Sequence, residues 1–199
     1  MNFLAHLYLA GSSAAPAYAG QLVGQFIADS VPGRRLEAYP AAVQAGIRAH
    51  RAIDAFTDQH PVVRRGTARL RAAGSGKYAG VVSDVFMDHF LARSFDEFSA
   101  ESLAGFAQRV YAQLATWQAD FPGPVQHFFP YLVQHNWLLH YAEVAGIGRA
   151  LQGLSRRASP GSGMDTAVHE LTRHYAAYEA DFREFFPQLQ AHAVRLLLP

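Results

Sequence analysis

The stretch Ser83-Asp84-Val85-Phe86-Met87-Asp88-His89-Phe90-Leu91-Ala92-Arg93 sets the strictest condition on how this chain can fold. Its two carboxylates are four residues apart, so a helix places them on one face. Val85, Phe86, Met87, Phe90 and Leu91 would bury much of that helix. A carboxylate in such surroundings needs a cation, a hydrogen-bond network or a proton. Upstream, His50, Asp54 and Asp58 repeat the spacing of four. The chemistry then depends on whether the two helices face each other across a metal ion.

The rest of the chain reads as helix. No alternating strand pattern stands out, and helix-period apolar spacing recurs, as in Leu103, Phe106, Val110, Tyr111 and Leu114. The expectation is a compact all-α bundle forming one domain over residues 1–199. Helices are expected at about 2–10, 16–29, 41–58, 61–73, 78–93 and 99–118, with an acidic link at 94–99. Three more follow: 125–144 with a kink at Pro130, a short helix ending near Arg156-Arg157, and 164–186 interrupted by Pro187 before a tail helix. Gly20 and Gly24 would let another helix approach closely. The N-terminus imitates a signal peptide, but no Lys or Arg precedes its apolar run and His6 interrupts it, so it is read as part of the mature fold.

Composition narrows the chemistry. With no cysteine there are no disulfides or thiolate metal sites, which suits a cytoplasmic setting. Any metal must be held by His, Asp and Glu, favouring hard divalent ions such as Mg²⁺ or Mn²⁺, with zinc or iron where His dominates. A formal charge of +1 gives no global field for nucleic acid. No apolar run is long enough for a membrane span. Nothing in the pattern specifies an oligomer.

Two ligand sets stand out: His50-x-x-x-Asp54-x-x-x-Asp58, and Asp84-x-x-x-Asp88-His89. Alternatively, Arg48 and Arg51 pair with the first set's acids along a solvated surface. His6 and Asp29 gain meaning only if their helices pack beside these sets. Asp29 ends an apolar helix, where the dipole disfavours negative charge, which hints at a positive partner. Arg64, Arg65, Arg69 and Arg71 form a one-signed basic run, either a solvated face or a docking surface for an acidic partner. His127, His135, Trp137, His140 and His174 read as core. No phosphate loop or nucleophile elbow is present. The inventory favours hydrolysis by a metal-bound water, with Arg51 stabilising phosphoryl charge and His89 assisting proton transfer.

At these residues the sequence resembles the acyl carrier protein phosphodiesterases. The similarity runs through Met1-Asn2-Phe3-Leu4-Ala5-His6-Leu7, Gly46-Ile47-x-x-His50-Arg51-x-Ile53-Asp54-x-x-Thr57-Asp58-x-x-Pro61 and Asp84-Val85-x-x-Asp88-His89-Phe90-Leu91-x-Arg93. Weaker matches are Trp137-Leu138-x-x-Tyr141 and His174-Tyr175 with Phe182 and Pro187. The resemblance implies an all-helical fold related to HD-type phosphohydrolases and a Mn²⁺-dependent reaction, with Mg²⁺ or another divalent cation admissible. It implies hydrolysis of the phosphodiester joining 4′-phosphopantetheine to a serine of acyl carrier protein, a step in lipid metabolism. Carried over residue by residue, it makes His6, Asp29, His50, Asp54, Asp84 and Asp88 the metal candidates. Arg51, Asp58 and His89 become secondary catalytic candidates, and the basic run becomes a landing surface for the acidic carrier. Two alternatives remain: an HD-type enzyme acting on a nucleotide or small phosphoester, and a non-catalytic helical protein binding an apolar ligand or haem through its seventh helix.

Overall fold

A computed structural model of the chain describes residues 1–197. Among these residues it is all-helical, with no strand. The helices are α1 (Phe3–Tyr8), α2 (Tyr18–Ile27), α3 (Ala41–Gln59), α4 (Pro61–Leu70), α5 (Ala79–Arg93), α6 (Phe95–Phe98), α7 (Leu103–Ala115), α8 (Gly123–Gln134), α9 (Trp137–His140), α10 (Val144–Ser155), α11 (Ala167–Arg173) and α12 (Tyr175–Leu197). None is long and apolar enough to cross a membrane.

α5 is the central helix. From Val82 to Ala92 every residue except Asp84 is buried, as expected of a helix that is apolar nearly all round. α1 lies against it. Six residues cannot sustain a helix alone, and Asn2, at its N-cap, makes no side-chain capping bond. The cap comes instead from α5. The Leu4 amide donates to Asp88 Oδ2 at 2.7 Å, and the Ala5 amide to Oδ1 at 3.1 Å. One buried carboxylate thus satisfies two amides of the first turn that have no helical partner.

α2 and α3 form the tightest pair. Gly20 faces Ala42, Gly24 faces Gly46, and Gln25 reaches His50, so the two helices run in the same direction. A Cβ on Gly24 would strike the Val43 carbonyl oxygen and lie 2.8 Å from the Gly46 Cα; one on Gly46 would strike the Gln21 carbonyl. The close approach expected of Gly20 and Gly24 therefore exists, and Gly46 is its third member. On the other side, the buried Asp181 of α12 accepts from Arg65 at 2.6 Å and from Arg69 at 3.1 Å, tying α4 to α12.

Several boundaries differ from expectation. Pro130 sits inside α8 without ending it; the break comes at Asn136, whose φ of 44° is left-handed. The long helix expected at 125–144 is therefore α8 and α9. Pro187 likewise lies inside an unbroken α12, because Phe182, Phe185, Phe186, Leu189 and Ala193 bury one continuous face and outweigh one lost hydrogen bond. The actual interruption is at His174, between α11 and α12. The acidic link at 94–99 contains the helical turn α6, and Ser102 caps α7 by accepting from the Gly105 amide.

Gly24→Ala forces two backbones apart, and overpacking of this kind destabilises by about 1–3 kcal/mol. At Gly153, in α10, an added Cβ would meet nothing within 4 Å, so Gly153→Ala stabilises by roughly 0.5–1 kcal/mol. Urea unfolding of both variants checks the contrast in sign.

Candidate metal centre

The α2–α3 crossing brings two histidines to one carboxylate. His50 and Asp54 are one turn apart on α3, and His6 enters from α1. His6 Nε2 is 3.1 Å from Asp54 Oδ1, and His50 Nε2 is 3.2 Å from Asp54 Oδ2. The imidazoles stack with centroids 3.7 Å apart. The three residues offer donor atoms within 4.8 Å of one another.

Gln25 fixes both rings. His50 Nδ1–H donates to its backbone carbonyl at 2.8 Å, and His6 Nδ1 lies 3.1 Å from its side-chain amide. A backbone carbonyl only accepts, so His50 carries a proton on Nδ1, and both rings turn Nε2 toward Asp54. Gln25 was not among the residues expected at the site. Its signal was a lone amide in the apolar run Leu22-Val23-Gly24-Gln25-Phe26-Ile27, where a buried polar side chain needs a partner.

The electrostatics are those of a site short of positive charge. Burial lowers His6 to about 4, leaving it neutral. Its Nε2 lies 3.1 Å from a carboxylate oxygen, so a neutral nitrogen donor and an anionic oxygen donor converge on one point beside His50. Burial also acts downward on His50, but Asp29 and Asp54 overcome it and hold His50 up at about 9. Asp54 opposes its own burial through bonds to His50 and His6 and lies far below the usual carboxylate range.

The remaining candidates surround this core unequally. Asp29 Oδ1 lies 3.3 Å from His50 Nε2 and offers a further oxygen. The Met1 ammonium is 3.0 Å from Asp84 Oδ1 and 3.5 Å from Asp54 Oδ1. Burial weakens that ammonium, yet the two acids raise it to about 10. Asp84 is pushed up by burial, partly offset by the ammonium. Asp88 is turned to α1 and raised to about 7, chiefly by burial. Asp58 is exposed at the end of α3. Arg51 donates to the Val31 carbonyl at 2.7 Å, bracing the turn that carries Asp29. His89 is fully buried, with Nδ1 on the Tyr141 carbonyl and Nε2 on the Tyr175 hydroxyl.

In the basic run, Arg65 pairs with Asp181 and Glu184, and Arg69 with Asp181. Arg64 and Arg71 are exposed and form no ion pair among the described residues. His135 and His140, expected in the core, instead line a cavity, His127 is exposed, and His174 lies 3.9 Å from Glu170.

Two imidazoles and a carboxylate form a donor set suited to a first-row divalent ion, with Asp29 as an added oxygen. Both rings turn Nε2 to the same carboxylate, so the residues fit a bound metal.

A family model described as acyl carrier protein phosphodiesterase matches residues 1–189. A Photorhabdus laumondii protein named acyl carrier protein phosphodiesterase is 34% identical over 194 residues, covering 97% of this chain and 95% of that one. Proteins of the same name from Escherichia coli O157:H7 and Salmonella paratyphi A are each 34% identical over 199 residues, the full length of both chains. No solved structure matches the chain.

Calorimetric titration with Mn²⁺ is expected to show binding that His6→Ala, His50→Ala and Asp54→Ala abolish. Gln25→Ala, which frees the His6 ring while the backbone carbonyl at position 25 still holds His50, weakens it by about 10–100-fold. Asp88→Ala keeps the donor set but strands two buried amides, at a stability cost of about 1–3 kcal/mol each. A second expectation concerns pH. His50 holds a proton up to about pH 9 that a cation must displace, so affinity rises with pH and levels off above about 9. In the cation-free protein, that raised value gives stability that is full below 6.5 and is lost as pH climbs through about 9. Titrations and thermal melts at about pH 6, about pH 7.5 and about pH 9 check both signs.

Proposed function

The chain belongs to the acyl carrier protein phosphodiesterase family, and from that premise we propose that it hydrolyses the phosphodiester joining 4′-phosphopantetheine to a serine of acyl carrier protein, at the His6–His50–Asp54 cluster. The products are the apo carrier and 4′-phosphopantetheine. The observation carrying this reading is the neutral His6 Nε2 held 3.1 Å from the Asp54 carboxylate. Such a pairing suits a cation, and phosphodiester cleavage is chemistry a cation serves.

In this reading His6, His50 and Asp54 hold the ion, and Asp29 contributes an oxygen beside His50. Nitrogen donors favour Mn²⁺ over Mg²⁺, which prefers all-oxygen sites. A divalent ion there would supply Lewis acidity toward a phosphoryl oxygen and lower the pKa of water. The protein's own groups do the rest. Gln25 keeps both Nε2 atoms aimed at the site. Arg51 acts through the Val31 carbonyl to position the Asp29 turn. Asp58, one turn beyond Asp54 and exposed at the end of α3, would accept the proton that the attacking water releases. The Met1 ammonium and Asp84 keep a balanced charge at the rim. Asp88 and His89 act by packing, Asp88 by capping the helix that carries His6.

The acidic carrier would dock on α4 through Arg64 and on the neighbouring Arg71, since Arg65 and Arg69 spend their charge on α12. The cytoplasm, where a cysteine-free chain needs no oxidising compartment, is the setting of this reading.

The test is direct. Purified protein with holo-acyl carrier protein and Mn²⁺ should remove the prosthetic arm, followed by carrier mass, and EDTA or Asp54→Asn should stop it. Turnover that survives both controls refutes the cation mechanism, and turnover of a nucleotide but not the carrier refutes the substrate. The Arg64→Glu/Arg71→Glu variant should raise KM for the carrier and flatten its salt dependence while leaving kcat nearly unchanged. An unaltered KM removes this face from the docking surface.

A further inference from the structure

A cavity of about 410 Å³ lies between the start of α1 and the helices α9 and α10. That volume falls in the range that holds small ligands, about 300–1,000 Å³. Phe3, Trp137 and Leu154 give it apolar walls, and Arg149 and Arg157 supply guanidinium donors. His140 also lines it, and its buried Nδ1 has no hydrogen-bond partner among the described residues; the nearest carboxylate oxygen, of Glu143, is 3.6 Å away.

The cavity adjoins the metal centre through two consecutive residues. Met1 places its ammonium between Asp54 and Asp84. Asn2 lines the cavity, and its amide donates to the Tyr141 hydroxyl in the wall at 3.1 Å. Adjacent Cα atoms are about 3.8 Å apart, so the ammonium at the cluster and the cavity wall are one residue step apart.

We propose that this cavity binds the pantetheine arm of the substrate, the alkyl-amide chain attached to the scissile phosphate. The proposal rests on the function above and adds to it the site that recognises the leaving product. Pantetheine alternates short alkyl segments with two amides. Apolar walls interrupted by Asn2, His140 and the two arginines match that alternation. The amide carbonyls accept from the guanidinium groups of Arg149 and Arg157. The arm's own binding would then help bring the phosphodiester to the cluster, a contribution that a small diester without the arm cannot make.

Gly153 lines the cavity, and a side chain there projects into open space. Gly153→Trp therefore fills the cavity without a backbone clash, and Gly153→Ala leaves most of it open. The measurements are kcat/KM on holo-acyl carrier protein and on bis(p-nitrophenyl) phosphate, calorimetric binding of pantetheine, Mn²⁺ stoichiometry and the thermal midpoint. The expected result is that Gly153→Trp lowers the holo-carrier-to-small-diester ratio by at least about tenfold and loses pantetheine binding. Gly153→Ala should keep both, with folding and Mn²⁺ binding retained in each variant. A wild-type ratio with wild-type pantetheine binding in Gly153→Trp overturns the proposal. So does saturable binding of octanoate in place of pantetheine. If the wild type fails to turn over the holo-carrier, the proposed function falls. Pantetheine binding then decides the cavity alone: loss in Gly153→Trp supports the assignment, and absence from the wild type overturns it.

Discussion

The contact between α2 and α3 is the constraint on which the site depends. Gly24 and Gly46 let the two backbones meet where any side chain would collide. Because the helices run in the same direction, the last turn of α2 arrives beside the middle of α3. Carbonyls in a last turn lack helical partners, and the carbonyl of Gln25 finds one in His50. The Gln25 side chain then takes His6. One residue therefore orients two rings carried by different helices. A wider crossing would release both at once, so packing and chemistry at this point cannot be varied separately.

α1 rests on a second dependency of the same kind. It is too short to hold its own shape, yet it must deliver His6 to within 3.1 Å of Asp54. Asp88 resolves this by accepting two of its first amides from the buried centre of α5. Burial raises the Asp88 carboxyl, and those two bonds pull the other way. The carboxylate that looks most costly in the sequence thus stabilises the helix end that positions a ligand.

The all-helical fold was legible in the apolar spacing, and the His50–Asp54 face in the spacing of four. Asp84 and Asp88 show where such reasoning stops. Spacing established that they share a helix face, and the apolar neighbours established that they need compensation. Neither says which compensation is used. Asp84 meets an ammonium and Asp88 meets two backbone amides, because α1, remote in sequence, is packed there. The prolines mislead for a related reason. Pro187 lies in a helix whose aromatic face is buried in register on both sides of it, so tertiary packing overrides a local signal. Asn136, which does break the chain, carries no signal as strong as a proline.

Residues 1–3 connect the His6–His50–Asp54 cluster with the cavity beside α9 and α10. The Met1 ammonium balances Asp54 and Asp84, the Asn2 amide bonds Tyr141, and Phe3 forms cavity wall. The next two amides are held by Asp88. A shift of this segment would move the charge at the cluster and the cavity wall together. It would also carry His6, which follows within the same short helix. In the proposed reading, recognition of a long substrate arm and presentation of a metal ligand share this one short element, an arrangement by which binding remote from the phosphate would act on its placement at the reacting centre.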